Sequence, residues 1–249
     1  MKRILLVFFL FLNGTYSQVF ASQSSCLAFY QNTFRDANRK DFLTLNSGHS
    51  AVQTMTRKGQ VFKLINLREL SPESSDYQAA DNYLKGLFAE ALKRLNLSEA
   101  IVNAIEKDNP VLVSQSHFLL MYDVDNPEHV IGGAAFVMAK DDKSTMAFQR
   151  ELNLDPSDKI LDDLYPKAEV ARVSIDTSRP FYSEKFRILI ETIMDVVTSS
   201  PEIRSFYTFT SRRHQRLYGL FGFTGTKMAD SNSLEKIPRN DVILRINVP

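Results

Sequence analysis

Three runs, residues 168–176, 186–197 and 206–210, constrain this chain most. The first and last read as strands. Val170, Val173 and Ile175 are β-branched, and Phe206, Tyr207, Thr208, Phe209 and Thr210 are aromatic or β-branched. Between them Phe186, Leu189, Ile190, Ile193 and Val197 recur at helical spacing, and the helix must stop before Pro201. Two strands joined by a helix of that length predict parallel neighbours, because parallel strands need a crossover connection. A polar break follows at residues 211–213. Leu217, Leu220 and Phe221 then predict a short helix, which Gly222 ends before a further extended run begins at Phe223.

Upstream, residues 24–39 read as a helix carrying Leu27, Phe29, Tyr30 and Phe34. Residues 43–60 are polar, contain Gly48 and Gly59, and read as loops. Residues 61–70 form the first expected core strand. Residues 76–95 carry a broad apolar stripe and read as a helix. A second helix is expected to be capped by Ser98 and ended by Asn109-Pro110. Residues 111–122 and 129–139 then read as a β-hairpin around a turn at 123–128. Residues 140–166 are a long polar connection with an apolar-punctuated segment near 148–154, and a last strand is expected at 242–248.

The first 21 residues have the pattern of a secretory signal. Lys2 and Arg3 start it, residues 4–12 are apolar, and Val19-Phe20-Ala21 offers a cleavage site after Ala21. The alternative is an uncleaved N-terminal anchor. With cleavage, the expected location is periplasmic or secreted, with no stable membrane span. The organisation is then a signal peptide at 1–21, an extension at 22–60 and one domain at 61–249. The 30 basic residues less Lys2 and Arg3 leave 28 against 29 acidic, a net of −1. That balance gives no case for nucleic acid. Cys26 is the only cysteine, so neither an intramolecular disulfide nor a thiolate metal site is expected.

Two strings carry chemistry. Glu169-Val-Ala-Arg-Val-Ser-Ile-Asp176 lies on the strand before the long helix, and Leu217-Tyr-Gly-Leu-Phe-Gly-Phe223 on the short helix. Together they resemble the GNAT acyltransferases. Glu169 and Arg172, followed by Val173 and Ile175-Asp176, are similar to the acyl-homoserine-lactone synthase and long-chain N-acyl amino acid synthase branch. The order of elements over residues 61–249 is also that of the family. The resemblance implies an α/β GNAT-like fold, a mixed central sheet with helices on both faces and an extra N-terminal segment. It further implies an acyl-CoA or acyl-phosphopantetheine co-substrate, a small amine acceptor such as an amino acid, and acyl carrier protein as a partner.

It also implies roles. Glu169 would be the base that takes a proton from the amine, since free amines are protonated near pH 7. Tyr218 would protonate the leaving thiolate. Arg172 would hold the acceptor's carboxylate or orient Glu169. The strand around Val173 and Ile175 would face the thioester, with Arg179, Ser183, Ser211 and His214 near the cofactor and Ser183 as a possible helix cap. His214 could bind a phosphate, tune the phenol, or be a partly exposed polar residue. One departure matters: the family's glycine-rich loop is replaced by Thr177-Ser-Arg-Pro-Phe-Tyr-Ser-Glu-Lys185, which has no glycine. Two readings therefore stand, an exported N-acyltransferase and an exported non-catalytic binding protein of the same fold.

Overall fold

In the computed structural model the described residues are 43–46, 48–94, 99–154, 160–161, 164–220 and 224–247; the side chains of Leu217, Tyr218 and Leu220 are not described. The expectations for residues 1–42 (cleavage site, first helix and Cys26), the Ser98 cap, Gly222 and Phe223 lie outside them.

One mixed sheet of eight strands runs through the molecule in the order β1-β2-β3-β4-β5-β6-β8-β7. β1 (Val52–Arg57), β2 (Gln60–Asn66), β3 (Ser116–Tyr122), β4 (Val130–Ala139) and β5 (Lys167–Ile175) pair antiparallel in sequence. β6 (Ser205–Ser211) then lies parallel to β5, and β8 (Asp241–Ile246) separates it from β7 (Gly225–Asp230). Strand order and the β5–β6 crossover are those expected of a GNAT-like fold.

The long amphipathic helix α5 (Tyr182–Thr198) makes that crossover. Its Ile188, Leu189, Ile193 and Val197 pack on Leu64, Leu119, Phe136, Val170 and Phe206 across one face of the sheet. The other face is covered by α1 (Ser75–Tyr83), a π-helical turn at Leu84–Phe88, α2 (Ala89–Lys93) and α3 (Glu99–Gln115). Ser74 caps α1 by accepting from the Tyr77 amide at 3.3 Å. Two further short helices are described, α4 (Ala147–Glu151) and α6 (Arg212–Leu220). Among the described residues, no helix is long and apolar enough to cross a membrane.

Three expectations are corrected. Residues 52–57 are a strand, not a loop. Lys58 and Gly59 both have positive φ, 47° and 77°, so Gly59 marks a two-residue hairpin of the primed type, whose twist matches the flanking strands. Leu67–Glu69 is a 3₁₀ turn rather than the end of β2. Pro110 does not end α3. The helix runs on to Gln115, and only Ser116–Tyr122 is strand. Pro110 removes a helical donor, but Leu112 and Val113 beyond it are fully or nearly buried. Burying two such side chains contributes about 1.5–3 kcal/mol each, which offsets the roughly 3 kcal/mol a helical proline costs.

Gly133 on β4 sits where the sheet is tightest. A Cβ there would lie 2.7 Å from the Leu119 carbonyl oxygen and 3.2 Å from the Tyr83 ring. The first contact is backbone and cannot swing away. Gly133→Ala is expected to lower stability by about 1–3 kcal/mol, as overpacking does. Urea denaturation checks this.

Candidate functional site

β5 and β6 share only three rungs: Lys167↔Ser205, Ala168↔Phe206 and Glu169↔Tyr207. Past Glu169 they part. β6 continues on its other side with β8 as far as Ser211↔Asp241. β5 continues with β4 as far as Gly132↔Ile175. An opening between two strand ends results, the place where open α/β sheets take ligands.

β5 also carries a bulge. Ala171 faces Ala135 and Ser174 faces Gly133, so one extra residue is inserted on the β5 side. Arg172 takes up the excess with φ 55°, a left-handed conformation that costs a non-glycine residue about 1–3 kcal/mol. The Tyr83 hydroxyl plugs the gap. It lies 2.8 Å from the Gly133 carbonyl oxygen and 2.5 Å from that of Arg172, either of which can accept its proton, and 2.8 Å from Ser174 Oγ.

The bulge sends the Arg172 side chain to the α3 side of the sheet. It pairs there with Glu151 and lies 3.8 Å from Asp108. Its Nε donates to Asn109 Oδ1 at 3.3 Å, and the guanidinium stands over the Phe88 ring, 5.4 Å from the centroid. Arg150 makes a two-pronged pair with Asp108, at 2.5 and 2.9 Å. Arg172 is thus buried and committed to protein carboxylates.

Glu169 belongs to the same cluster. It is 2% exposed, and its Oε2 accepts from the Phe148 amide at the start of α4, at 3.1 Å. Burial, and then the Glu151 carboxylate, push its pKa up to about 8; the Phe148 amide, Arg172 and Arg150 oppose this more weakly. Two guanidiniums face three carboxyls here, so the cluster is neutral when Glu169 holds a proton.

The other expected residues are placed as follows. Val173 and Ile175 are half-buried on the splayed part of β5, Val173 against the α5 core. Arg179 bridges Asp123 at 3.0 Å and Asp176 at 3.3 Å. Ser183 is not the cap of α5. Phe181 occupies that position with φ 57° and no side-chain bond, leaving Ser183 inside the first turn. Ser211 instead acts as a cap for α6, accepting from the His214 amide at 3.2 Å. His214 is half-buried, and burial, then Arg213, lower its pKa. Tyr218 lies on α6, its side chain beyond the description. Among the described residues no three His, Cys, Asp or Glu side chains are grouped to hold a metal.

A cleft of about 440 Å³ opens beside the bulge, lined by Asn82, Tyr83, Glu90, Arg94, Ile175 and Asp176 among others. Arg94 Nη1 donates to Thr177 Oγ1 at 2.6 Å across it. Tyr83 belongs to both cleft and bulge, whereas Glu169 is not in the lining. Sequence reasoning missed Tyr83, Asp108, Arg150 and Glu151 as site residues. Tyr83 looked like one more position of an apolar stripe, and the other three come from distant segments with no shared spacing.

No protein-family model matches the chain, and no curated protein matches it. Among solved structures, it is similar to FeeM, an N-acyl amino acid synthase from uncultured soil microbes, at 14% identity over 76% of this chain and 91% of that one, with a TM-score of 0.42. It is similar to the catalytic domain of a Tetrahymena histone acetyltransferase in complex with coenzyme A, at 15% identity over 78% and 96%, with a TM-score of 0.44. It is also similar to an acyl-CoA N-acyltransferase from Pseudomonas aeruginosa, at 12% identity over 75% and 98%, with a TM-score of 0.43. At these values the case for the fold rests on the strand order and the parallel crossover.

The raised pKa of Glu169 has a stability consequence. The folded state favours its protonated form, so its contribution is full below the unfolded carboxyl range and is lost as pH rises through about 8. His117 is pushed down to about 4 and titrates on the acid side. Between about pH 6.5 and pH 8.5 the melting temperature is therefore expected to fall more steeply for the native chain than for Glu169→Gln. Parallel thermal melts across that range check it.

Proposed function

We propose that this chain is an N-acyltransferase of the GNAT type that moves an acyl group from a thioester to a small amine. The observation that carries this reading is the parting of β5 from β6 directly after the Glu169↔Tyr207 rung. A buried carboxyl of raised pKa stands at the vertex, and such perturbed groups cluster at functional sites. The donor in this reading is acyl-CoA or an acyl-phosphopantetheine on acyl carrier protein. The acceptor is an amine such as an amino acid.

Each group has one task. Glu169, ionised, takes a proton from the attacking ammonium through water, since a base works best with a pKa near the working pH. The neutral nitrogen forms the new bond to the thioester carbonyl, and the carbon–sulfur bond breaks. Tyr218 gives its proton to the departing thiolate, the phenolate takes up the second proton of the attacking nitrogen, and Glu169 returns its proton to water, leaving an amide and a thiol. Of the two roles expected of Arg172, positioning the cluster around Glu169 fits its ion pairs with Glu151 and Asp108 better than holding a substrate carboxylate. Tyr83 keeps the bulge open.

Export after cleavage at Ala21 is part of the same proposal, and the intact mass of protein recovered from producing cells tests it. A second reading, an exported binding protein without catalysis, is favoured by one feature. The glycine-free loop turns into α5 at Phe181, which is 77% exposed and left-handed, and carries Tyr182 and Glu184 where the family places glycines around pyrophosphate.

The two readings separate on activity. Offered acyl-CoA or acyl carrier protein with a panel of amino acids, the chain is expected to form acyl-amides, followed by mass spectrometry. Glu169→Gln should lower turnover by roughly 10²–10⁴-fold. Its rate should lose the rise toward alkaline pH that an ionising Glu169 produces. Product no greater than that of the double variant Glu169→Gln, Tyr218→Phe would leave the binding reading standing.

A further inference from the structure

A second cavity, of about 400 Å³, lies at the opposite ends of the strands from the cleft beside Ile175. It is framed by Asn66 at the end of β2, His117 at the start of β3, Met138 at the end of β4, and Pro166 and Ile203 just ahead of β5 and β6. Its volume is in the range of small-molecule sites.

Its apolar wall is part of the core under α5: Leu45, Met138 and Ile203 all line it. Its polar side is incompletely satisfied. Among the described residues, His117 Nδ1 and Asn46 Oδ1 are buried without a hydrogen-bond partner. Such atoms are uncommon in folded proteins and destabilise the fold when nothing meets them. Arg68 and Lys140 are exposed on this lining, and among the described residues neither side chain forms an ion pair. Both guanidinium and ammonium are close enough to His117 to act on it electrostatically. Two acids also line the cavity. Glu69 is drawn to Asn66 Nδ2 at 2.7 Å, and Glu202 is itself engaged. Their presence disfavours a dianion such as phosphate but leaves room for a single negative charge.

We propose that this cavity binds a small carboxylate, its apolar body on Leu45, Met138 and Ile203 and its headgroup between Arg68 and Lys140 beside His117. The cation pair suits an oxyanion, and the apolar wall suits a short aliphatic chain. The site is separate from the cleft beside Ile175, because the two cavities lie at opposite ends of the strands.

Hexanoate is the probe, with hexanol as the uncharged control. The charged and titratable groups that line the cavity with the imidazole are Arg68 and Glu69 from the 3₁₀ turn, Lys140 after β4, Glu202 before β6 and His49 from the N-terminal loop. A bound carboxylate would oppose Arg68 and Lys140 and favour the protonated imidazole. NMR titration of the full chain should therefore show a saturable upward movement of the His117 pKa with hexanoate and none with hexanol. In Arg68→Gln, Lys140→Gln, hexanoate affinity should fall by at least about tenfold, since two charge-assisted hydrogen bonds to the headgroup are lost. Both positions are exposed, so the variant is expected to fold, and an unchanged melting temperature verifies it. No saturable movement in the native chain, an equal response to hexanol, or undiminished affinity in the double variant would each overturn the proposal.

Discussion

Everything at the candidate site depends on a parallel ladder that stops after its third rung. Up to Glu169↔Tyr207, β5 and β6 are one continuous sheet, and their side chains feed a common core. Beyond it each strand keeps only its outer partner, β4 for β5 and β8 for β6. Two antiparallel blocks thus meet along a short parallel seam. The seam is held by α5, whose apolar stripe spans strands from both blocks. A strand pair bonded along its whole length would leave no opening and would place Glu169 within a closed surface.

The bulge on β5 is tied to the same arrangement. Inserting Arg172 in a left-handed conformation turns its guanidinium away from α5 and into a cluster with Glu151 and Asp108. Arg172, had it kept regular alternation, would have put a charge against the apolar face packed by Val170 and Val173. The Tyr83 hydroxyl offers its one proton to the Gly133 or the Arg172 carbonyl at the bulge. The strain at Arg172 and the burial of Glu169 both oppose stability. They leave a carboxyl whose proton is held more tightly than usual, as proton transfer near neutral pH requires.

Much of the fold was legible. β5, α5 and β6 carry strong periodicities, and their order implied the parallel crossover that the structure contains. The errors came where a local signal competed with packing. Gly59 and its neighbours read as loop, yet Lys58-Gly59 is the tight turn of a hairpin. Asn109-Pro110 read as a helix end, yet Leu112 and Val113 are carried into the core by continuing the helix. Ser183 read as a cap, but the chain turns into the helix two positions earlier, at Phe181. Glu169 and Arg172 were singled out by the GNAT resemblance, and the structure places both in one buried charged cluster. Their neighbours were not, because Asp108, Arg150 and Glu151 stand 18 to 64 residues away along the chain.

By itself, the sequence determined which segments are strands and helices along 168–210, which two must run parallel, and which carboxyl and phenol lie on the elements flanking their seam. Those properties follow from short-range spacing: a period of two, a period near 3.6, and the length of a crossover. Only the tertiary structure decided where the seam ends, which way Arg172 points, and that Glu169 is buried beside Glu151 with its pKa raised. Burial and charge proximity depend on residues brought together from different elements, and no local pattern encodes those distances.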